Sequence, residues 1–174
     1  MYQPSFAGYI TLGGMKLSLR PAEASELAVS ESLSRLNMAS YRASRGLLWD
    51  PERFRLSWGE FENLAIVQSG QCCGFIRLLP EGGALAIRDV QVAPEFQGRG
   101  IGSWAITEAK RIAASRGYGM VQLRVYPENP AMSLYARLGF GVERVERVED
   151  AVVHMRCYIP PNSSLKRTNQ SLRD

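Results

Sequence analysis

The sequence predicts a mixed α/β (α+β) domain: a mostly antiparallel central sheet flanked by helices, with one parallel strand pair. Three observations carry this reading. Three short apolar runs, 64–67, 73–79 and 84–92, are separated only by the turn signals Ser69-Gly70-Gln71 and Pro80-Glu81-Gly82-Gly83, which makes an antiparallel meander. A long helical pattern, 101–116, joins the third run to a further strand at 120–125, and a helical crossover lets those two strands lie parallel. A short helical run then leads into two late strands, around 140–145 and 151–158, which can pair antiparallel.

The elements follow in order. Residues 1–14 form an arm with Gly8, Gly13 and Gly14 and no readable period. Met15 to Arg20 alternates and reads as a strand that Pro21 stops. Glu23 to about Ser40 carries Leu27, Leu33, Leu36 and Met38 and reads as helix. Tyr41 to Phe61 is expected to be loop-rich, because Gly46 and Pro51 interrupt it; its aromatics either line a pocket or cover the sheet. In the 84–92 strand Asp89 and Gln91 face away from Val90 and Val92. Ile101, Trp104, Ala105, Ala109, Ile112 and Ala113 make one apolar stripe, and Gly117 suits the end of that helix. Asn129-Pro130 is a cap followed by a first-turn proline; Ala131, Leu134, Tyr135 and Leu138 then form the next stripe. Residues 1–160 are expected to be one domain, and the polar stretch 161–174 a disordered tail.

Composition narrows the function. The 174 residues carry a net charge of +4 without any run of five basic residues, and no aromatic–basic platform suggests RNA. The three cysteines and one histidine have no metal-ligand spacing, so no metal is expected. Cys73 and Cys157 read as buried strand residues and His154 as structural. No signal-peptide pattern or membrane-length apolar run is present, and a cytoplasmic location without nucleic acid or membrane partners is the expectation. A late exposed strand offers a way to homodimerise.

The most informative stretch is Gln97-Gly98-Arg99-Gly100-Ile101-Gly102, at the start of the long helix. Unpaired N–H groups and the helix dipole favour a phosphate there, glycines let the backbone approach it, and Arg99 can add a charged bond. The spacing is neither the dinucleotide fingerprint nor a P-loop.

Several linked blocks, in this order, are similar to the GNAT superfamily of acetyl-CoA-dependent N-acetyltransferases: Val90-Gln91-Val92-Ala93-Pro94, Gln97 to Gly102, Asn129-Pro130-Ala131, and Leu134-Tyr135 with Leu138-Gly139-Phe140. Asn129 stands six residues before Tyr135, where the family pattern commonly has seven. The resemblance implies acetyl-CoA as co-substrate and an amine of a small molecule, protein or peptide as acceptor. Direct attack through a tetrahedral intermediate would follow. It implies that main-chain groups of Val90, Gln91 and Val92 hold the pantetheine arm and stabilise the oxyanion. Amides from Gln97 to Gly102 would hold the pyrophosphate, Asn129 would contact the cofactor, and Tyr135 would give a proton to the departing thiolate. Tyr135 also fits an ordinary core aromatic. For the general base Asp89 comes first, with Glu95, Glu60, Glu62 or water as alternatives. Arg77 and Arg88 are either guides for an anionic acceptor or exposed strand residues. A non-catalytic CoA-binding sensor or partner-binding module is the rival reading.

Overall fold

The computed structural model describes residues 10–12, 14–146 and 151–160. Eight strands form one sheet in the order β1-β2-β3-β4-β5-β6-β8-β7. They are β1 (Ile10–Leu12), β2 (Met15–Pro21), β3 (Glu62–Gln68), β4 (Gln71–Glu81), β5 (Ala84–Val92), β6 (Met120–Val125), β7 (Gly141–Glu146) and β8 (Val152–Tyr158). The helices are α1 (Leu27–Ala43), α2 (Pro51–Glu60), α3 (Ile101–Ser115) and α4 (Ala131–Arg137). Every described pairing is antiparallel except β5 with β6.

Helix α3 packs on β5 and β6 because its stripe is small as well as apolar. Ala105, Ala109 and Ala113 have no exposed surface, so the helix axis lies close to the sheet; Ile101, Trp104 and Ile106 fill the flanks. The partner face supplies Leu85, Ile87, Val121, Leu123, Val125, Val153, Met155 and Cys157, all in the same core. Helix α1 covers the opposite face, where Leu33 meets Ala65 and Phe75.

Three expectations change. The segment read as loop between 41 and 61 contains α2. Asp50 caps it by accepting from the Arg53 N–H at 2.9 Å, and Pro51 opens it. Only Phe54 of its ten residues is buried, so no apolar period announced it. Within the arm, Ile10–Leu12 pairs with β2. The late strands do pair, but β8 lies between β6 and β7 and leaves β7 at the edge with all six residues exposed. The expected tail, 161–174, lies outside the described residues.

The feature that positions the site is a partial pairing. β5 and β6 match only at Leu85↔Val121, Ala86↔Gln122 and Ile87↔Leu123. Directly after Ile87, β5 carries a bulge: Arg77 pairs with Asp89 and Leu78 with Ile87, which leaves Arg88 as the extra residue. A bulge bends its strand and raises the local twist. From Arg88 onward β5 therefore parts from β6, and a cleft opens between them.

Candidate active site

The cleft has a volume of about 1060 Å³ and runs from the start of α3, past β5, to α1 and α2. At one end the mouth of α3 is bare. Its first intrahelical bond runs from Trp104 N–H to Gly100 C=O at 3.0 Å, and no side chain caps the helix. The N–H groups of Ile101, Gly102 and Ser103 thus lack intrahelical acceptors. Gly98 and Gly100 take φ of 72° and 80°, which an L side chain adopts only with strain. A Cβ on Gly98 would meet nothing within 4 Å. Diphosphate oxygens fit this cradle by charge and by shape.

Two details of the expected phosphate loop change. The Gln97 N–H is taken, because it donates to Pro94 C=O at 3.2 Å in a short 3-10 turn. The Gln97 side chain instead donates to Val92 C=O at 2.9 Å. Arg99 does not line the cleft; its guanidinium stands 5.6 Å over the Phe96 ring.

Along the middle, β5 presents its edge. Ala93 N–H donates to Cys73 C=O at 2.9 Å. Bonded pairs alternate along an antiparallel ladder, so Gln91 and Asp89 bond toward β4, while Val90 and Val92 turn their main-chain groups to the gap. Val92 C=O is already occupied, accepting from Gln97 Nε2 and from Asn37 Nδ2 at 3.1 Å. Val90 C=O and Val92 N–H remain for a ligand strand. Gly74 holds this edge in place from behind: a Cβ there would lie 2.2 Å from Gln91 C=O.

Asp89 is drawn into the interior, not left on a solvated surface. Ser34 Oγ donates to its Oδ2 and Gln91 Nε2 to its Oδ1, both at 2.7 Å, and Asn37 Nδ2 donates on to Gln91 Oε1 at 2.9 Å. Burial pushes its pKa above the usual aspartate range, and these hydrogen bonds pull back only partly. Ser34 and Asn37 escaped the sequence reading, since small polar residues on a helix carry no motif. The other candidate bases lie outside the cleft. Glu62 makes a two-pronged ion pair with Arg116, and Glu60 and Glu95 are exposed.

Tyr135 lies 8% exposed on α4 and lines the same cleft. Burial first, and the Asp89 charge second, push its pKa up to about 12, so its hydroxyl stays protonated across the physiological range. Asn129 also lines the cleft, but its Oδ1 accepts from Ala131 N–H at 2.9 Å in the turn before α4, whose cap position falls one residue later than expected, on Pro130.

Arg77 departs from both of its expected roles. It is 3% exposed, donates to Asn63 Oδ1 at 2.9 Å and to Ser57 Oγ at 2.7 Å, and stands 4.2 Å and 4.8 Å over the Phe54 and Phe61 rings. The aromatics of α2 make this cage, so an arginine on a strand became a core residue. His154 is buried on β8 with Nε2 2.8 Å from Glu146 Oε1, outside the lining of the cleft. Among the described residues no group of three or more His, Cys, Asp or Glu is placed to hold a metal, and no helix is long and apolar enough to cross a membrane.

Residues 30–140 match the model of the acetyltransferase (GNAT) family, a span that runs from within the first turn of α1 through α4 and takes in the whole β5–β6 splay. The chain belongs to the GNAT family. An uncharacterized N-acetyltransferase of Methanocaldococcus jannaschii is 38% identical to this GNAT protein over 74 residues, 42% of this chain and 33% of that protein. The chain thus spans about a third of the length of that curated relative. The fold is similar to the ribosomal-protein-S18-alanine N-acetyltransferase of Escherichia coli, at TM-score 0.67 and 19% identity over 82% of this chain and 94% of that one. It is also similar to the PaiA N-acetyltransferase of Thermoplasma acidophilum in complex with coenzyme A, at TM-score 0.64 and 18% identity over 82% and 98%.

Proposed function

We propose that this GNAT protein transfers an acetyl group from acetyl-CoA to an amine of a small molecule, protein or peptide. The observation that carries the proposal is the splay. One cleft joins a bare helix mouth, an unpaired strand edge and a protonated tyrosine, in the order that a diphosphate, an amide-bearing arm and a thioester require. Acetyl-CoA supplies the acetyl group as a thioester.

The residues of this chain do the rest. Amides of 98–103 grip the diphosphate. Val90 C=O and Val92 N–H bond the arm as a sheet edge bonds an added strand. Main-chain N–H groups of the same edge face the thioester oxygen as negative charge builds on it. The Tyr135 hydroxyl gives its proton to the leaving sulfur. The dry surroundings that raise the tyrosine pKa also raise the demand of a thiolate for that proton. Asp89 is the carboxylate that lines the cleft among the described residues, and its two occupied oxygens still have lone pairs with which to take a proton from the incoming amine, directly or through water.

Calorimetric titration with acetyl-CoA and CoA, followed by thiol release across a panel of amines, tests this. Binding with thiol release supports the proposal. Binding without release to any amine turns the protein into a CoA-binding module. Absence of binding removes the reading altogether.

A further inference from the structure

Five arginines, Arg42, Arg77, Arg88, Arg124 and Arg137, line the cleft against a single carboxylate, Asp89. Two of the five have other work, and a third lies toward the cofactor end. Arg42 donates to Leu48 C=O and stacks over Trp49, and Arg77 is locked in its aromatic cage. Arg137 is carried by α4, whose Leu134 Cδ2 lies 4.0 Å from where a Cβ on Gly102 would stand at the mouth of α3, the cofactor end.

Arg88 and Arg124 are different. Each follows the last residue of the β5–β6 pairing on its strand, Ile87 or Leu123, so the two flank the point where β5 and β6 part. Both line the main cleft and also an adjoining cavity of about 310 Å³ on the same side. Arg88 donates to Glu81 at 3.4 Å, a partly exposed pair, and its guanidinium stands 5.4 Å over the Phe61 ring. Arg124 is exposed and makes no ion pair among the described residues. Arg88 also immediately precedes Asp89, so a group held there lies beside the site of the chemistry.

We infer that the acceptor carries an anionic group, carboxylate or phosphate, next to its amine, and that Arg88 and Arg124 bind it across the opening of the splay. The inference deepens the acetyl-transfer reading and rests on it. A guanidinium fork matches either anion with paired, charge-assisted hydrogen bonds. A polycationic acceptor would meet Arg124, which has no ion-pair partner among the described residues, beside Arg88, and the one carboxylate of the main cleft is already held by Ser34 and Gln91. Charge repulsion of that kind selects against a partner as strongly as attraction selects for one.

The test measures thiol release with phenylalanine, phenylalaninamide, phenethylamine, O-phosphoethanolamine and kanamycin, for the native chain and for Arg124→Gln and Arg88→Gln. The native chain should favour phenylalanine or O-phosphoethanolamine, and which of these wins identifies the anion. Arg124→Gln should raise KM for that acceptor about tenfold or more, since charge-assisted bonds are lost. It should leave kcat, CoA affinity and KM for phenethylamine within about twofold. Each acceptor is compared with itself, so differences in amine basicity cancel. Preference for phenethylamine or kanamycin, or indifference of the anionic acceptors to both substitutions, overturns the inference while acetyl transfer stands. Binding of CoA with no acetylation of any amine overturns the transfer reading and this inference together.

Discussion

The two halves of the cleft are built from different materials. The half proposed for the cofactor is backbone: a helix mouth, two glycines at positive φ and a strand edge, all within 90–102. The half proposed for the acceptor is side chain: Arg42 and Trp49 near the end of α1, the aromatics around Arg77, Arg88 on β5, and Arg124 on β6. Backbone geometry suits a ligand that is always the same. Side chains from scattered elements can change without moving the scaffold. The difference teaches where variation in the family should lie, and each half can be broken without the other.

The largest effect belongs to the residue between the halves. Tyr135→Phe keeps the ring against Phe140, 6.0 Å away, and removes only the proton donor. Turnover should fall about 10²-fold or more, the range of a lost general acid, with CoA affinity unchanged. Steady-state kinetics with a parallel calorimetric titration decide it, and an unchanged kcat would leave Tyr135 as a core aromatic. Next comes the cofactor half. Gly100→Val places a β-branched residue at φ 80°. Left-handed strain of about 1–2 kcal/mol and a blocked cradle should weaken CoA at least about tenfold, while the acceptor KM holds. Calorimetry reads the first quantity and kinetics the second; native CoA affinity would show that the ligand approaches from elsewhere.

The same contrast explains what could be read from the sequence. Gly98, Gly100, the α3 stripe and Tyr135 are local patterns, and all of them appear where periodicity and turn chemistry put them. Arg77 is opposite in kind. Its burial depends on Phe54, Trp58 and Phe61, which approach it only because α2 exists. The one sign of α2 is its Asp50-Pro51 start, and beside Gly46 the same Pro51 reads equally as a break. The bulge at Arg88 had no glycine or proline to mark it, and it is set by the pairing of β4 with β5. Gly74 is passed over in the sequence, although a lone glycine inside an apolar strand is a usual mark of close backbone approach.

Gly74 also gives the third test. Alanine there sets its Cβ 2.2 Å from a main-chain oxygen, which no side-chain rotation relieves, so β5 must shift. Overpacking of this kind costs about 1–3 kcal/mol. Thermal denaturation should show that loss, and KM for acetyl-CoA should rise because the displaced edge carries Val90 and Val92. Loss of stability with native KM would separate the rear support of β5 from its ligand edge.

The smallest effect is the most diagnostic of the acceptor half. In the folded chain the pKa of Asp89 is raised, chiefly by burial. Between its unfolded value, about 3.9, and the raised folded one, the native state therefore binds more protons than the unfolded state, and stability falls as pH rises through that window. Above it the cost of the buried charge is present in full. Asparagine at 89 carries no charge at any pH. The midpoint of Asp89→Asn relative to the native chain should therefore climb above about pH 4 and level off once Asp89 is ionised in the folded chain as well. Turnover at neutral pH should drop at the same time, because the proton acceptor is gone. A difference in midpoint that stays flat, or shrinks as pH rises, would mean that Asp89 is solvated in the native state, and the polar network from Ser34 to Asn37 would then need another reason to exist.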